Sequence, residues 1–258
     1  MKKNEKIDCS VLTLLLAIYF CWEPIRVAAV SDCNIASSDF TVASGTICRL
    51  TDGDYSFDTV SISGTVQCGE IGTENTKVTI SVTDSFEITK SGILHGNGFG
   101  RASSSSTDQN GNAAGSGGGY GGRGGASAGA FLASDAESIF KDKVDEPNKV
   151  GGAGGTSNGG WGGGHIKITN TGSGDITIDG ILSADGDDAS SGNGGGGSGG
   201  SIWIEAPDSL VTGSGRIAAR GGNGNGDGGG GGGGRIKVTH ASSSFDGQLL
   251  AHGGRGGK

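Results

Sequence analysis

Only three prolines occur in 258 residues, and the 57 glycines keep no strict Gly-X-Y period, so a collagen-like chain is excluded despite the glycine content. Aromatic residues are scarce at 5 %, and a single methionine is present. No CxxC pair or Cys/His spacing of the kind that holds zinc occurs. There is no Asn-x-Ser/Thr acceptor for N-glycosylation and no nucleophile elbow for a Ser/His/Asp triad. Beyond residue 22 no apolar run approaches the length of about 20 residues needed to span a bilayer as a helix. Positive charge is also short, with 19 Lys and Arg against 27 Asp and Glu and a formal net charge of −8. That balance repels nucleic acid and anionic lipid, and Gly122-Arg123-Gly124-Gly125 is therefore not read as an RNA-binding RGG box.

The first 29 residues have the parts of an export signal. Lys2, Lys3 and Lys6 form a basic start, Val11 to Trp22 an apolar stretch, and Val27-Ala28-Ala29 the small residues of a cleavage site, placed after Ala29. The segment carries four basic and three acidic residues, so the chain from Val30 is expected to be slightly more acidic than the whole and secreted, with no membrane span. Cys9 and Cys21 leave with the signal, while Cys33, Cys48 and Cys68 remain to meet oxidising conditions. One disulfide with one thiol left over is the simplest expectation.

Glycine is unevenly placed. Only Gly45, Gly53, Gly64, Gly69 and Gly72 precede position 91. From Val30 to Lys90 short segments such as Tyr55 to Ser63 and Lys77 to Val82 alternate apolar and polar residues between turn-forming Asp-Gly and Ser-Gly steps, a pattern of short strands. A glycine-rich insertion over 91–163 follows, in which Ala133 to Glu146 reads as either a short helix stopped by Pro147 or a loop pinned by Phe140 and Val144. From 164 to 258 three copies of a strand, strand, glycine-loop unit recur about every 34 residues. Their first strands centre on Ile166/Ile168, Ile202/Ile204 and Ile236/Val238, and their second on Ile181, Ile217 and Leu249. An earlier copy starts at Val78 and continues through Phe86.

A strand pair that cannot bury its apolar face alone buries it by stacking the next copy on top, and glycine connections can then pack backbone on backbone. The expected fold is therefore all-β, a right-handed parallel β-helix-like solenoid with glycine-rich loops, with a β-sandwich as the alternative. In such a stack a compact rung of about 20 residues would place Cys68 over Cys48, which favours a Cys48–Cys68 disulfide over Cys33–Cys48.

Several residues have the chemistry of a site. Asp185, Asp187 and Asp188 gather carboxylates that could bind a hard cation such as Ca²⁺ weakly, or could be solvated turn residues. Gly221 to Gly228 misses the calcium β-roll pattern, because Asp227 falls one place late and Gly228 stands where an apolar plug is needed. The GxGxxG matches at Gly192 and Gly224 carry no information in so glycine-rich a stretch. Trp161 and Trp203 interrupt small-residue stretches and are candidate platforms for a sugar ring. Gly186-Asp187-Asp188, Arg235-Ile236-Lys237 and His252-Gly253 resemble pieces of the polygalacturonase signature, in which paired carboxylates act on a glycosidic bond. Here Arg235 to Lys237 precedes the histidine and the leading Asn-Thr-Asp element is absent.

Gly195 to Ile204, Gly213 to Gly224 and Gly230 to Val238 resemble the glycine-rich β-helical repeats of large secreted and cell-surface proteins. Gly117 to Gly125 and Pro147 to Gly155 look like the glycine-rich insertion of the same proteins. The resemblance is specific for architecture and implies a structural or adhesive role. Together with the acidic, secreted character it leads to the expectation of a cell-wall, extracellular-matrix or mineralised-matrix protein, with polysaccharide, matrix or mineral surface as partner and no catalytic residue or cofactor. Members are usually longer, so this chain is expected to be a piece. The enzymatic alternative is a carbohydrate-active β-helix hydrolase or lyase. A surface-binding solenoid would need outward threonine ranks, and Glu205 interrupts the one formed by Thr169 and Thr239.

Overall fold

A computed structural model describes residues 30–70, 72–102, 110–111, 115–128, 145–156 and 158–257. The expected export signal and the segment around Phe140 lie outside the described residues. Sixteen strands and no helix occur among those described. In chain order they are β1 (Ser31–Asp32), β2 (Asp39–Val42), β3 (Ile47–Leu50), β4 (Gly53–Phe57), β5 (Thr59–Ile62), β6 (Thr65–Cys68), β7 (Lys77–Val82) and β8 (Phe86–Ile88). They continue as β9 (Ile93–His95), β10 (His165–Asn170), β11 (Ile176–Ile178), β12 (Ile181–Ser183), β13 (Ser201–Gly213), β14 (Arg216–Ala218), β15 (Arg235–Phe245) and β16 (Gln248–Leu250).

Every strand pairing is parallel, and the pairs fall into three ranks. The first runs β4, β7, β10, then the front halves of β13 and β15. The second runs β2, β5, β8, β11, then the rear halves of β13 and β15. The third runs β1, β3, β6, β9, β12, β14 and β16. Each repeat thus gives one strand segment to each rank in the same order. Wholly parallel pairing is unlike the antiparallel sheets of a β-sandwich and removes that alternative.

The registers follow the repeat. Val78, Ile166, Ile202 and Ile236 face one another in the first rank, as do Ile80, Ile168, Ile204 and Val238. Parallel strands lie about 4.8 Å apart, so each isoleucine lands on its equivalent and alternate residues point inward. Ile80, Ile88, Ile166, Ile168, Ile176, Ile178 and Leu94 are fully buried. The unit has three strands where two were expected. β11 is only three residues long, and β13 passes from the first rank to the second without a glycine turn, the register shifting between Ala206 and Leu210 around Pro207. A proline is tolerated at such an irregularity because no ladder donor is required there. In the third rank Leu182, not Ile181, faces Ile217, so Ile181 points outward.

The disulfide joins Cys33 and Cys48, with their Cα atoms 4.8 Å apart, and Cys68 is free and buried. This corrects the Cys48–Cys68 expectation. Cys48 faces Val66 and Leu50 faces Cys68, so Cys68 lies two residues further along the strand than the partner of Cys48. Two residues of rise combined with one strand spacing put the Cα atoms about 8 Å apart, beyond reach of a disulfide. Cys33 instead donates its N–H to the Arg49 carbonyl at 2.9 Å, which brings it beside Cys48.

The glycine segments form their own hydrogen-bonded body. Along 195–200 the donors rotate with a period of three. Gly195 and Ser198 donate to Gly155 and Gly152, Gly196 and Gly199 to Gly229 and Gly232, and Gly197 and Gly200 to Asp187 and Ala184. Three residues per turn with no internal hydrogen bond is the geometry of an extended polyproline-II-type helix. The 195–200 segment is flanked by 152–155, 184–187 and 229–232, and its backbone N–H groups are satisfied sideways. A Cβ on Gly196, Gly197 or Gly200 would fall on the carbonyl oxygens of Gly222, Trp161 and Gly164. The 91–163 insertion begins with β9 and then joins this body: Gly118 donates to Gly196, Gly121 to Gly233, and the buried Tyr120 hydroxyl meets Ser201 Oγ at 2.7 Å.

Candidate functional site

The acidic segment leaves β12 directly after Ser183 and runs extended between two neighbouring repeats. Its carboxylates do not converge. Asp185, 8 % exposed, turns toward the next repeat, where Oδ1 accepts the Arg220 backbone N–H at 2.6 Å. Its Oδ2 accepts Arg220 Nη2 at 2.6 Å and Nε at 3.1 Å. Hydrogen bonding to Asp185 raises the Arg220 pKa above its ordinary value, with the charges of Asp185 and Asp188 adding to it against the lowering effect of burial.

Asp185 is one member of a ladder that links repeat to repeat. Asn97 Oδ1 accepts the Asp185 N–H at 2.8 Å. Asp188 Oδ1 accepts the Asn223 N–H at 2.6 Å, and Asn223 Oδ1 accepts the Arg255 N–H at 2.9 Å. Asp179 Oδ1 takes both the N–H and hydroxyl of Ser214, at 2.9 and 3.0 Å, and the N–H bond heads the causes that lower its pKa. An Asx side chain is short enough to reach the backbone of the next layer and satisfies a donor that strand pairing leaves over. Asp185, Asp188, Arg220, Asn223, His252 and Arg255 together line an open cleft of about 440 Å³.

Asp187 points elsewhere. It lines a second cavity of about 440 Å³ with Gln67, Asn97, Gly98, Phe99 and Trp161. The Asp187 carboxyl lies against the α-carbon of Gly98, which has φ of +69°, so glycine is required there both by conformation and by space. Desolvation of the carboxyl against this largely apolar wall, and then the charge of Asp188, push the Asp187 pKa up to about 6, although the residue as a whole is exposed. The calcium candidates are therefore divided, with Asp185 bound to Arg220 and Asp187 and Asp188 facing different clefts. Among the described residues no group of three or more His, Cys, Asp or Glu could hold a metal.

The two tryptophans differ. Trp203 stands in register between Lys167 and Lys237, whose Nζ atoms lie 3.8 and 5.0 Å from its ring centroid. Ammonium groups lie over its ring and compete with a sugar for that face. Lys167 also pairs with Glu205 at 2.6 Å, and Lys237 Nζ donates to the Asp145 carbonyl at 2.5 Å. Trp161 is half-buried on the second cavity and keeps its place as a candidate platform.

The fragments that resemble the polygalacturonase signature are spread through the packing. Arg235 stacks 5.0 Å above the buried Tyr120 ring, Lys237 covers Trp203, and His252 sits on the open cleft with Nδ1 3.0 Å from the Gly253 carbonyl oxygen. Phe99 and Arg220 are the contributors that sequence reading passed over. The signal for Arg220 was present, since Asn97, Asp185, Arg220 and His252 occupy the same place after the third strand of successive repeats. Comparison with protein-family models, curated proteins and solved structures finds no match.

Proposed function

We propose that the chain is a right-handed parallel β-helix serving as a secreted structural or adhesive module of a cell wall, extracellular matrix or mineralised matrix. Three parallel ranks visited in constant order support the solenoid, and right-handed crossover is the rule for parallel connections. A disulfide supports an oxidising compartment, and no helix among the described residues is long and apolar enough to cross a membrane.

The observation that carries the role is what the reactive-looking side chains are doing. Asp185, Asp188 and Asn223 tie one repeat to the next through backbone N–H groups, and Arg220 and Lys237 close over their neighbours. Side chains committed to holding layers together serve a scaffold that works through its repeated surface. The enzymatic alternative draws on Asp187, whose raised pKa suits a general acid, but no second carboxylate lines its cavity among the described residues. Sedimentation of the chain from Val30 onward with insoluble cellulose, chitin, pectin and calcium mineral tests the adhesive reading. Retention on at least one of them is expected, and a protein that stays in the supernatant with all four overturns it.

A further inference from the structure

We infer that the cavity between Phe99 and Trp161 is a binding site for one neutral hexopyranose ring, the unit by which the module recognises polysaccharide. The inference deepens the adhesive reading and rests on it.

Two aromatic side chains form the apolar part of this cavity. Phe99 is 7 % exposed and its ring is fixed against the α-carbon of Gly69, where a Cβ would collide with it. His95 backs the Phe99 ring at 6.3 Å between centroids. Trp161 is held through its backbone, its carbonyl accepting the Asp187 N–H at 2.8 Å, and it stays half-buried. The volume of about 440 Å³ lies at the small end of ligand cavities, about 300–1,000 Å³, which suits a single ring rather than a chain enclosed on all sides.

The polar groups are few and mostly accept. No hydrogen-bond donor among the described residues reaches the Asp187 carboxylate, and no ion pair takes it. Gln67 spends Nε2 on the Gly69 carbonyl at 3.1 Å, which leaves Oε1 as an acceptor. Asn97 spends Oδ1 on Asp185, which leaves Nδ2 as a donor. An apolar floor with a rim of acceptors and one donor matches a pyranose, which offers a face of C–H groups and an edge of hydroxyls. The charge of Asp187, with Asp188 next in the chain and a net charge of −8, disfavours uronic acids.

The test uses the chain from Val30, in which Trp161 and Trp203 supply the only indole N–H resonances and Trp203 serves as internal control. Methyl glucoside, methyl galactoside, methyl N-acetylglucosaminide and the methyl glycoside of galacturonate with its carboxylate free are titrated against the isotope-labelled protein. At least one neutral glycoside is expected to move the Trp161 resonance saturably at concentrations on the order of millimolar, leaving Trp203 in place. Asp187→Asn is expected to weaken that binding about tenfold, and Trp161→Ala, checked for an unchanged spectrum elsewhere, to abolish it as read from the remaining backbone shifts. Absence of any shift with all three neutral glycosides, tighter binding of the galacturonate, or unchanged affinity in Asp187→Asn would overturn the assignment. Polysaccharide sedimentation of Trp161→Ala keeps the two readings apart. Retention of that variant on the polymer leaves adhesion standing and removes the cavity from it. Glycoside binding by a protein that no polymer retains supports the cavity and removes adhesion.

Discussion

The carboxylate of Asp185 caps the backbone of Arg220 and is gripped by the side chain of the same residue. One oxygen accepts the Arg220 N–H and the other two guanidinium donors, so a single aspartate fixes both the position and the rotamer of its partner one repeat away.

Removing this carboxylate leaves a part-buried N–H and a partly exposed guanidinium without this partner. Asp185→Ala is expected to cost about 2 kcal/mol, in the range for hydrogen bonds to charged groups after allowance for Arg220 exposure. Asp185→Asn retains one acceptor for the backbone and should cost less. Urea unfolding of the two variants checks the order.

The glycine body makes a sharper distinction between positions of identical composition. A Cβ on Gly200 would fall on the carbonyl oxygens of Gly163 and Gly164, whereas at Gly122 the nearest atom is the Gly233 nitrogen at 3.8 Å. Gly200→Ala is expected to destabilise by several kcal/mol, about the level of the largest single substitutions. Gly122→Ala should be neutral or stabilising by up to about 1 kcal/mol through lost unfolded-state freedom. Thermal melts of both separate a packed glycine body from a flexible tail, in which the two would behave alike.

The cysteines offer a covalent check. Peptide mapping without reduction is expected to recover Cys33 linked to Cys48 and Cys68 as a free thiol. Burial pushes the Cys68 pKa up, so alkylation of that thiol should await unfolding. A peptide joining Cys48 to Cys68 would contradict the register of the third rank.

Asp187 sets a pH dependence with a definite sign. Its folded pKa of about 6 lies above the ordinary 3.8, so between those values the folded state binds the extra proton. Stability contributed by this group therefore falls as pH rises from about 4 to about 6 and stays lower above it. Asp187→Asn should raise the unfolding midpoint at pH 7.5 and change it less at pH 4, as read by denaturant titration at the two pH values. An equal effect at both would mean that the wall does not desolvate the carboxyl.

The first and third ranks were legible in the sequence because Ile166, Ile202 and Ile236, and then Ile217 and Leu249, stand in alternating segments framed by glycine. The middle rank was not. Its members, such as Ile176–Ile178, are too short for a period of two to show, and the rear half of β13 follows Pro207 without the expected turn. The disulfide was misplaced by the two residues between a rung of about 20 and the shorter step that aligns Cys48 with Val66. The acidic segment could not be read alone, since the partners of Asp185 and Asp188 are backbone groups of the following repeat. Trp203 looked open for a related reason: the lysines that cover it come from the strands on either side.

The claim that these carboxylates hold a scaffold together is tested most directly by incubating the chain from Val30 with soluble and insoluble polysaccharides, pectins included, and assaying for new reducing ends and unsaturated products. No product above the buffer control is expected, with Asp188→Asn differing from the parent only in stability. Product release by the parent that disappears in Asp188→Asn would contradict it.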